Sequence, residues 1–299
     1  MQIPTKQFAE MQLKGMSTLQ RELQDVQARI TTGRNLLHTY DAPTTAYQVA
    51  ALDSALSQAA RRSSIVQYAQ AQLALREQVL SESLSLINRV KEITVVAANS
   101  TASLADRQNF ATELRQISLT LRDLANTTDP SGSAVFGGYK TADVAYTLDA
   151  DGNADYRGDA GPRTGVALLA NLGLDETADQ IFGGIVSNDS LTDVFTILES
   201  AADTLDANQA PTAAQADIEL AFSQFSNQLT KVGTGQQQAE RVAEALDASI
   251  LTLKEERSPL ADADVAALVV QLSQGITALQ AAQQSFIKLQ QLTLFDLMK

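Results

Sequence analysis

The chain has 299 residues, a formal net charge of −13, 44% hydrophobic and only 5% aromatic residues, and neither Trp nor Cys. The lack of cysteine excludes disulfides and thiolate metal sites. The acidic balance argues against nucleic-acid binding, which needs a basic face.

Ala, Gln, Ser, Thr and Leu dominate, which favours thin helical bundles over a thick globular core. The first helix is expected from about Thr5 to Thr31. In it Met16, Leu19, Leu23, Val26 and Ile30 recur at alternating steps of three and four. Such a seam on a polar helix has to be buried against another helix. Gly33 supplies a stop, and Asp41-Ala42-Pro43 with Thr44 supplies a new start. A very long second helix follows, from about Thr44 to Ala98. Its apolar positions are loose at first (Val49, Leu52, Leu56) and regular later (Leu73, Leu80, Leu84, Ile87). Asn99-Ser100-Thr101 breaks it. Ser103, three residues before Asp106, then resembles a helix cap with an acidic first turn. The third helix carries Phe110, Leu114, Ile117, Leu121 and Leu124 on one face.

The pattern changes at Asn126. Residues 127–188 are rich in Gly, Asp, Thr and Ser. Val144 to Leu148 and Asp155-Tyr156-Arg157, on either side of Asp151-Gly152-Asn153, read as a β-hairpin, and Gly165 to Leu169 offers a further strand. Helical spacing returns at Leu191, Val194, Leu198 and Leu205. After Pro211 a long seam runs through Ile218, Phe222, Phe225, Leu229, Val232, Val242, Leu246, Ile250 and Leu253, interrupted at Gly233 and Gly235, which need not end the helix. Pro259 is expected to end that helix. Asp262 or Asp264 heads the last one. There Val265, Leu272, Leu279 and Phe286 recur every seven residues, with Leu268, Ala282 and Leu289 as companions and Leu292 beyond them.

Two seams at opposite ends of one chain are most simply buried against each other. The expected fold is therefore mainly α: a long antiparallel helical bundle or coiled coil of the N- and C-terminal halves, with a small β-rich insertion. We divide the chain into an N-terminal assembly helix (1–43), the first half of a helical bundle (44–129), the β-rich insertion (130–188), the second half of the bundle (189–259) and a C-terminal assembly helix (260–299).

No constellation of catalytic residues emerges. His38 is the single histidine, has no metal-ligating companions, and lacks the Gly-x-Ser-x-Gly elbow a triad would use. Gly233-Thr234-Gly235 lacks the third glycine and the preceding strand of a dinucleotide loop. Asp149, Asp151 and Asn153 have calcium-loop spacing, but Ala160 stands where a bidentate Glu belongs. Arg61-Arg62 reads as a solvated face. No enzyme, cofactor or metal is expected. Met1 to Lys14 lacks the apolar core of a secretory signal, and no run of about 18 apolar residues suggests a membrane-spanning helix.

Several segments carry a family resemblance. Leu23 to Arg34 (LQDVQARITTGR) is similar to the Leu/Gln-rich helix of flagellar hook-associated protein 3 and its flagellin relatives. Ala97 to Thr101 with Asp106-Arg107, Leu124 to Thr127, Val135 to Thr141 and Tyr156 to Asp159 resemble the family's passage into and through its β domain. Ala278 to Phe286 and Leu289 to Phe295 resemble the terminus of hook-associated protein 3 rather than the Asn- and Leu-rich tail of flagellins. Asp41-Ala42-Pro43 departs from the family's Asp-Asp-Pro.

The resemblance implies a structural protein of the bacterial flagellum that forms the junction ring between hook and filament. It implies assembly through the two terminal helices, hence through Met16, Leu19, Leu23, Val26, Ile30, Val265, Leu268, Leu272, Leu279, Phe286, Leu289 and Leu292. It further implies other copies of the chain, the first hook-associated junction protein and flagellin as partners, with an export chaperone and the flagellar type III export apparatus before assembly. The location would be extracellular, without membrane insertion. A flagellin is the nearest alternative, and a cytoplasmic coiled-coil adaptor the alternative of another class.

Overall fold

The computed structural model describes residues 3–99, 102–138, 144–148, 154–158, 174, 176–187 and 190–297. In chain order they form α1 (Ile3–Thr32), α2 (Pro43–Ala97), α3 (Leu104–Ala125), β1 (Tyr146–Leu148), β2 (Ala154–Tyr156), α4 (Ala178–Phe182), β3 (Ile185–Ser187), β4 (Ser190–Thr192), α5 (Val194–Asp206), α6 (Thr212–Ala261) and α7 (Val265–Leu297). The fold is mainly α.

Two compact units emerge: Met1–Arg61 with Asp247–Lys299, and Arg62–Leu246. The division placed from sequence at 43/44 lies at the start of α2, and that at 259/260 lies near the end of α6. The units divide inside α2, between Arg61 and Arg62, and inside α6, between Leu246 and Asp247. Leu52 and Leu56 are only half-buried, whereas Val66, Ala69, Leu73, Leu80 and Ile87 are fully buried.

Unit 62–246 has a dry helical core. Leu73, Leu80, Ile87 and Ile93 of α2 meet Leu114 and Leu121 of α3, Leu198 and Leu205 of α5, and Ile218 and Phe225 of α6, all within one cluster. The start of α3 bears out the cap expected from sequence. The Ser103 hydroxyl accepts the Asp106 N–H at 3.2 Å, and the Asp106 carboxylate takes the Ser103 N–H at 3.1 Å. The Ser103 hydroxyl also donates to Asp106 and, with its N–H, holds that carboxyl below its usual pKa. Arg115 of α3 spans to three carboxylates of α5, reaching Glu199 and Asp203 at 2.8 Å and Asp206 at 2.7 Å. These hydrogen bonds push its pKa up. The groups remain well solvated, so each pair contributes at most about 1 kcal/mol.

The β-rich part is organised by aromatic rings. β1 and β2 pair antiparallel with Tyr146 opposite Tyr156. The Asn126 side chain imitates a neighbouring strand: it accepts the Tyr146 N–H and donates to the Tyr146 carbonyl, both at 2.8 Å. The Tyr146 ring meets Phe195 at 5.0 Å, and Phe182 meets Phe225 at 5.2 Å and Phe136 at 6.1 Å. Burial of Tyr146, reinforced by Asp179 and Asp193, raises its phenol pKa. Asp129 anchors the turn after α3. Its carboxylate accepts the N–H groups of Ser131 (2.9 Å) and Ser133 (3.0 Å), the Ser131 hydroxyl (2.5 Å) and the Gln72 amide (3.0 Å). Burial opposes its charge, but these donors outweigh that and hold the pKa at about 2.

The structure corrects two local readings. Leu191 is not the start of a helix but the centre of β4, opposite Val186 of β3. It is 77% exposed, and the buried helical series begins only at Val194, behind Asp193, whose carboxylate accepts the Thr196 N–H at 2.8 Å. An insertion ending at 188 would therefore cut this hairpin in two. Pro259 does not end α6, which runs on to Ala261. Proline removes one hydrogen bond there, close to the helix end, and the Ala261 carbonyl is satisfied by the Asn35 N–H at 2.8 Å. Gly233 and Gly235, not expected to end the helix, lie inside an unbroken α6. The expected strand at Gly165 to Leu169 and the Asp149, Asp151 and Asn153 turn fall outside the described residues.

Candidate functional site

The other unit is built from α1, the start of α2, the end of α6, and α7. Gly33, at φ +65°, closes α1 in the left-handed conformation that glycine adopts without strain, with its N–H on the Arg29 carbonyl at 2.9 Å. Its own carbonyl accepts the Ala263 N–H at 3.0 Å, and Arg34 forms a β-bridge with Asp262. Asp264, not Asp262, caps α7 by accepting the Ala267 N–H at 3.1 Å. Asp262 pairs instead with Arg257 at 3.3 Å. The C-terminal end of α1 thus meets the N-terminal end of α7.

Further along, Leu23 packs against Gly275, and a Cβ placed on that glycine would lie 2.5 Å from Leu23 Cδ2. Moving backward along α1 therefore means moving forward along α7, so the two helices pair antiparallel. Between Val265 and Lys288 the half-buried positions of α7 are Leu268, Leu272, Gly275, Leu279, Ala282 and Phe286, and the rest are exposed. That is an uninterrupted three–four spacing, the narrow seam of a two-helix coil. On α1, Met16, Leu19, Leu23 and Ile30 are half-buried and Val26 is buried.

Val265 departs from the expected seam, being 44% exposed. It is the first residue of α7, at the level where the Gly33–Asn35 backbone has replaced the α1 helix. The side chains of Leu289 and Leu292 lie outside the described residues. Gly275 belongs to the seam but is missing from the sequence-derived set. Its place seven residues from both Leu268 and Ala282 could have revealed it.

One seam leaves much apolar surface in water. Val269, Val270, Ile276 and Ile287 of α7 and Met11 and Leu13 of α1 are all exposed. The Val265–Lys288 helix has a mean hydropathy of 1.4, long and apolar enough by composition to cross a membrane. A search for unbroken apolar runs misses this, because Gln and Ser are interspersed throughout α7.

Beside the coil, the loop after α1, the start of α2 and the end of α6 line a cleft of about 270 Å³. His38 lies in its lining and stacks on Tyr40 with ring centres 5.0 Å apart. Among the described residues no group of three His, Cys, Asp or Glu side chains is placed to hold a metal.

The bacterial flagellin N-terminal helical region matches residues 3–141. Over the whole chain, flagellar hook-associated protein 3 of Escherichia coli is 28% identical across 320 aligned positions, covering all of both proteins. The chain is similar to flagellar hook-associated protein 3 along its whole length. The Salmonella typhimurium hook-associated protein 3 is 29% identical, covering 99% of each chain. A solved structure assigned as a flagellar hook-associated protein, from Vibrio parahaemolyticus, shares the fold with a TM-score of 0.64 at 16% identity. It covers 74% of this chain and 100% of its own. Among the segments that resemble hook-associated protein 3, Val135-Phe136 belongs to the core. Both residues are fully buried, and Arg76 donates to the Val135 carbonyl at 3.2 Å while its guanidinium lies 5.3 Å above the Phe136 ring. That segment serves the core of unit 62–246, whereas the α1–α7 pair leaves apolar side chains exposed.

Proposed function

We propose that this chain is the subunit of the ring joining the flagellar hook to the filament, and that it adapts a flexible hook to a stiff filament without catalysing a reaction. The observation that carries this reading is the α1–α7 pair, which buries one seam and leaves Val269, Val270, Ile276 and Ile287 in water. Surface of that kind is stable once neighbouring helices cover it. In this reading the seam residues of α1 and α7 and their exposed flanks form the assembly surface. Copies of the chain meet laterally, with the first hook-associated junction protein on one side of the ring and flagellin on the other. Before assembly the chain passes through the flagellar type III export apparatus, with an export chaperone over the apolar face of α7.

Deletion of the gene tests this. Cells should keep hooks, lack filaments and release flagellin into the medium. Normal filaments on the deletion strain would overturn it. The match to the flagellin N-terminal region supports a second reading, a filament subunit. Quantifying the protein in sheared flagella separates the two, since a ring subunit is present in a small fixed number per flagellum and a filament subunit in vast excess.

A further inference from the structure

The cleft in unit 1–61 with 247–299 has a distinct chemistry. Its apolar floor includes Leu36, Leu37 and Val49, and Arg34 lines its wall. The second arginine in the lining, Arg257, is already held by Asp53 at 2.6 Å and by Asp262. Arg34 makes no ion pair among the described residues. Tyr40, stacked on the cleft residue His38, is 77% exposed, and Tyr47, next to the lining residue Ala46, is 78% exposed. Exposed tyrosines and an unpaired arginine around an apolar floor are the composition of a protein-binding hot spot. They are conspicuous in a chain with 6 Tyr in all.

The complement lies on the same unit, facing the other way. Arg257 points α6 into the cleft, and Glu255, two residues earlier, is turned about 200° around the helix axis. Glu255 is exposed and has no ion-pair partner among the described residues. Leu251, one helical turn before it, is 58% exposed. One side of this unit therefore offers a cleft with an apolar floor and a free cation. The opposite side offers an aliphatic side chain followed one turn later by a free carboxylate.

We propose that the cleft receives the Leu251–Glu255 edge of a second copy of this chain, with Leu251 over the Leu36–Leu37–Val49 floor and Glu255 on Arg34. Such a contact joins two different patches, and repeated by rotation it closes a ring. The Tyr40 and Tyr47 rings then close over its rim. The inference rests on the proposal that copies of the chain form a ring.

The absence of cysteine allows a clean test. One chain carrying Arg34→Cys and another carrying Glu255→Cys are co-expressed in cells lacking the native gene, and flagella are isolated and mildly oxidised. Disulfide-linked dimers should form only when both variants are present. If both variants are recovered in flagella and no dimer forms, the inference is overturned. If the unmodified chain is itself absent from isolated flagella, it is the ring reading that fails. Charge reversal gives an independent readout. Arg34→Glu and Glu255→Arg should each reduce the fraction of cells bearing filaments by at least tenfold, and the two together in one chain should restore it. Normal filaments on either single variant, or no restoration in the double, would overturn the pairing.

Discussion

The two units handle apolar surface in opposite ways. Among the described residues, the buried hydrophobic side chains of unit 1–61 with 247–299 are Val26, Ala59 and Ala261, and all the others belong to 62–246. The second unit holds rings and branched aliphatics at zero exposure, among them Phe136, Phe182, Phe225, Leu80 and Ile87. The first spreads comparable aliphatic side chains along thin helices, half in water. A full core makes a unit stable alone. A half-buried seam makes it dependent on neighbours, since burial stabilises in proportion to area removed from water, roughly 25 cal/mol per Å². The difference teaches which unit holds its own core and, under the proposed function, which one is completed by its neighbours.

The largest effect that could break this comparison is a core truncation. Phe225→Ala should destabilise unit 62–246 by about 3–5 kcal/mol, through lost transfer energy and a cavity. Its thermal unfolding midpoint, followed by circular dichroism, should fall by roughly 10 °C or more for a unit of this size. Leu272→Asp should leave that midpoint unchanged yet abolish filament attachment. A carboxylate forced into an apolar interface costs several kcal/mol by desolvation. Gln283→Asp, at an exposed position of the same helix, should assemble normally. Equal shifts of the midpoint for Phe225→Ala and Leu272→Asp would erase the distinction between the units.

Truncation after Leu260 sharpens it further. Without α7 the α1 seam has no partner within the chain, so the helical signal of α1 should be lost along with that of α7. The cooperative transition of 62–246 should survive at its original temperature. A truncated chain with no cooperative transition would mean that the core depends on the terminal helices.

Much of the helical layout was legible because helix signals are local. Gly33, Pro43, and Ser103 with Asp106 are punctuation that acts within a few residues, so α1, α2 and α3 begin and end within about two residues of expectation. The seven-residue spacing of Leu272, Leu279 and Phe286 is likewise a property of the sequence itself. What was not legible depends on three dimensions. Leu191 fits the helical period of Val194 and Leu198, and only its pairing with Val186 places it in a strand. Pro259 reads as a stop, and only the Asn35 N–H, remote in sequence, shows how the helix continues past it. The unit boundary inside α2 has no sequence mark, because the helix does not change there while its surroundings do. The cleft joins Arg34, Val49 and Arg257 from three segments whose spacing forms no motif.

A smaller effect tests the polar side of the self-sufficient unit. Asp129 is held at about 2 in the folded state by its Ser131, Ser133 and Gln72 donors, against about 3.9 for an unfolded aspartate. The folded pKa is depressed, so the unfolded chain binds the proton more readily. Its stabilisation is complete above pH 4 and is lost as pH falls through about 2. Asp129→Ala should cost about 2–3 kcal/mol at pH 7, since it strands several buried donors. It should also flatten the decline in unfolding midpoint between pH 4 and pH 2. A variant that declines as steeply as the unaltered chain would show that other carboxylates carry that acid sensitivity.

The smallest expected effect lies in the seam, at Gly275. Replacing a helical glycine with alanine ordinarily stabilises a helix by about 1 kcal/mol. Here the new Cβ would meet Leu23 Cδ2 at 2.5 Å, too close for contact, so the leucine has to turn aside or the helices have to separate. The two effects nearly cancel, and Gly275→Ala alone should change the helical content of the purified chain little. The informative comparison is with Leu23→Ala, which removes the obstructing methyl groups and some seam burial. On that background Gly275→Ala no longer meets a side chain and should recover its full propensity gain, so the double variant should be more helical than Leu23→Ala by about 1 kcal/mol. Circular dichroism of the four chains measures the coupling. If Gly275→Ala stabilises equally with and without Leu23, the two residues do not touch, and the register of the α1–α7 pair is other than the one described.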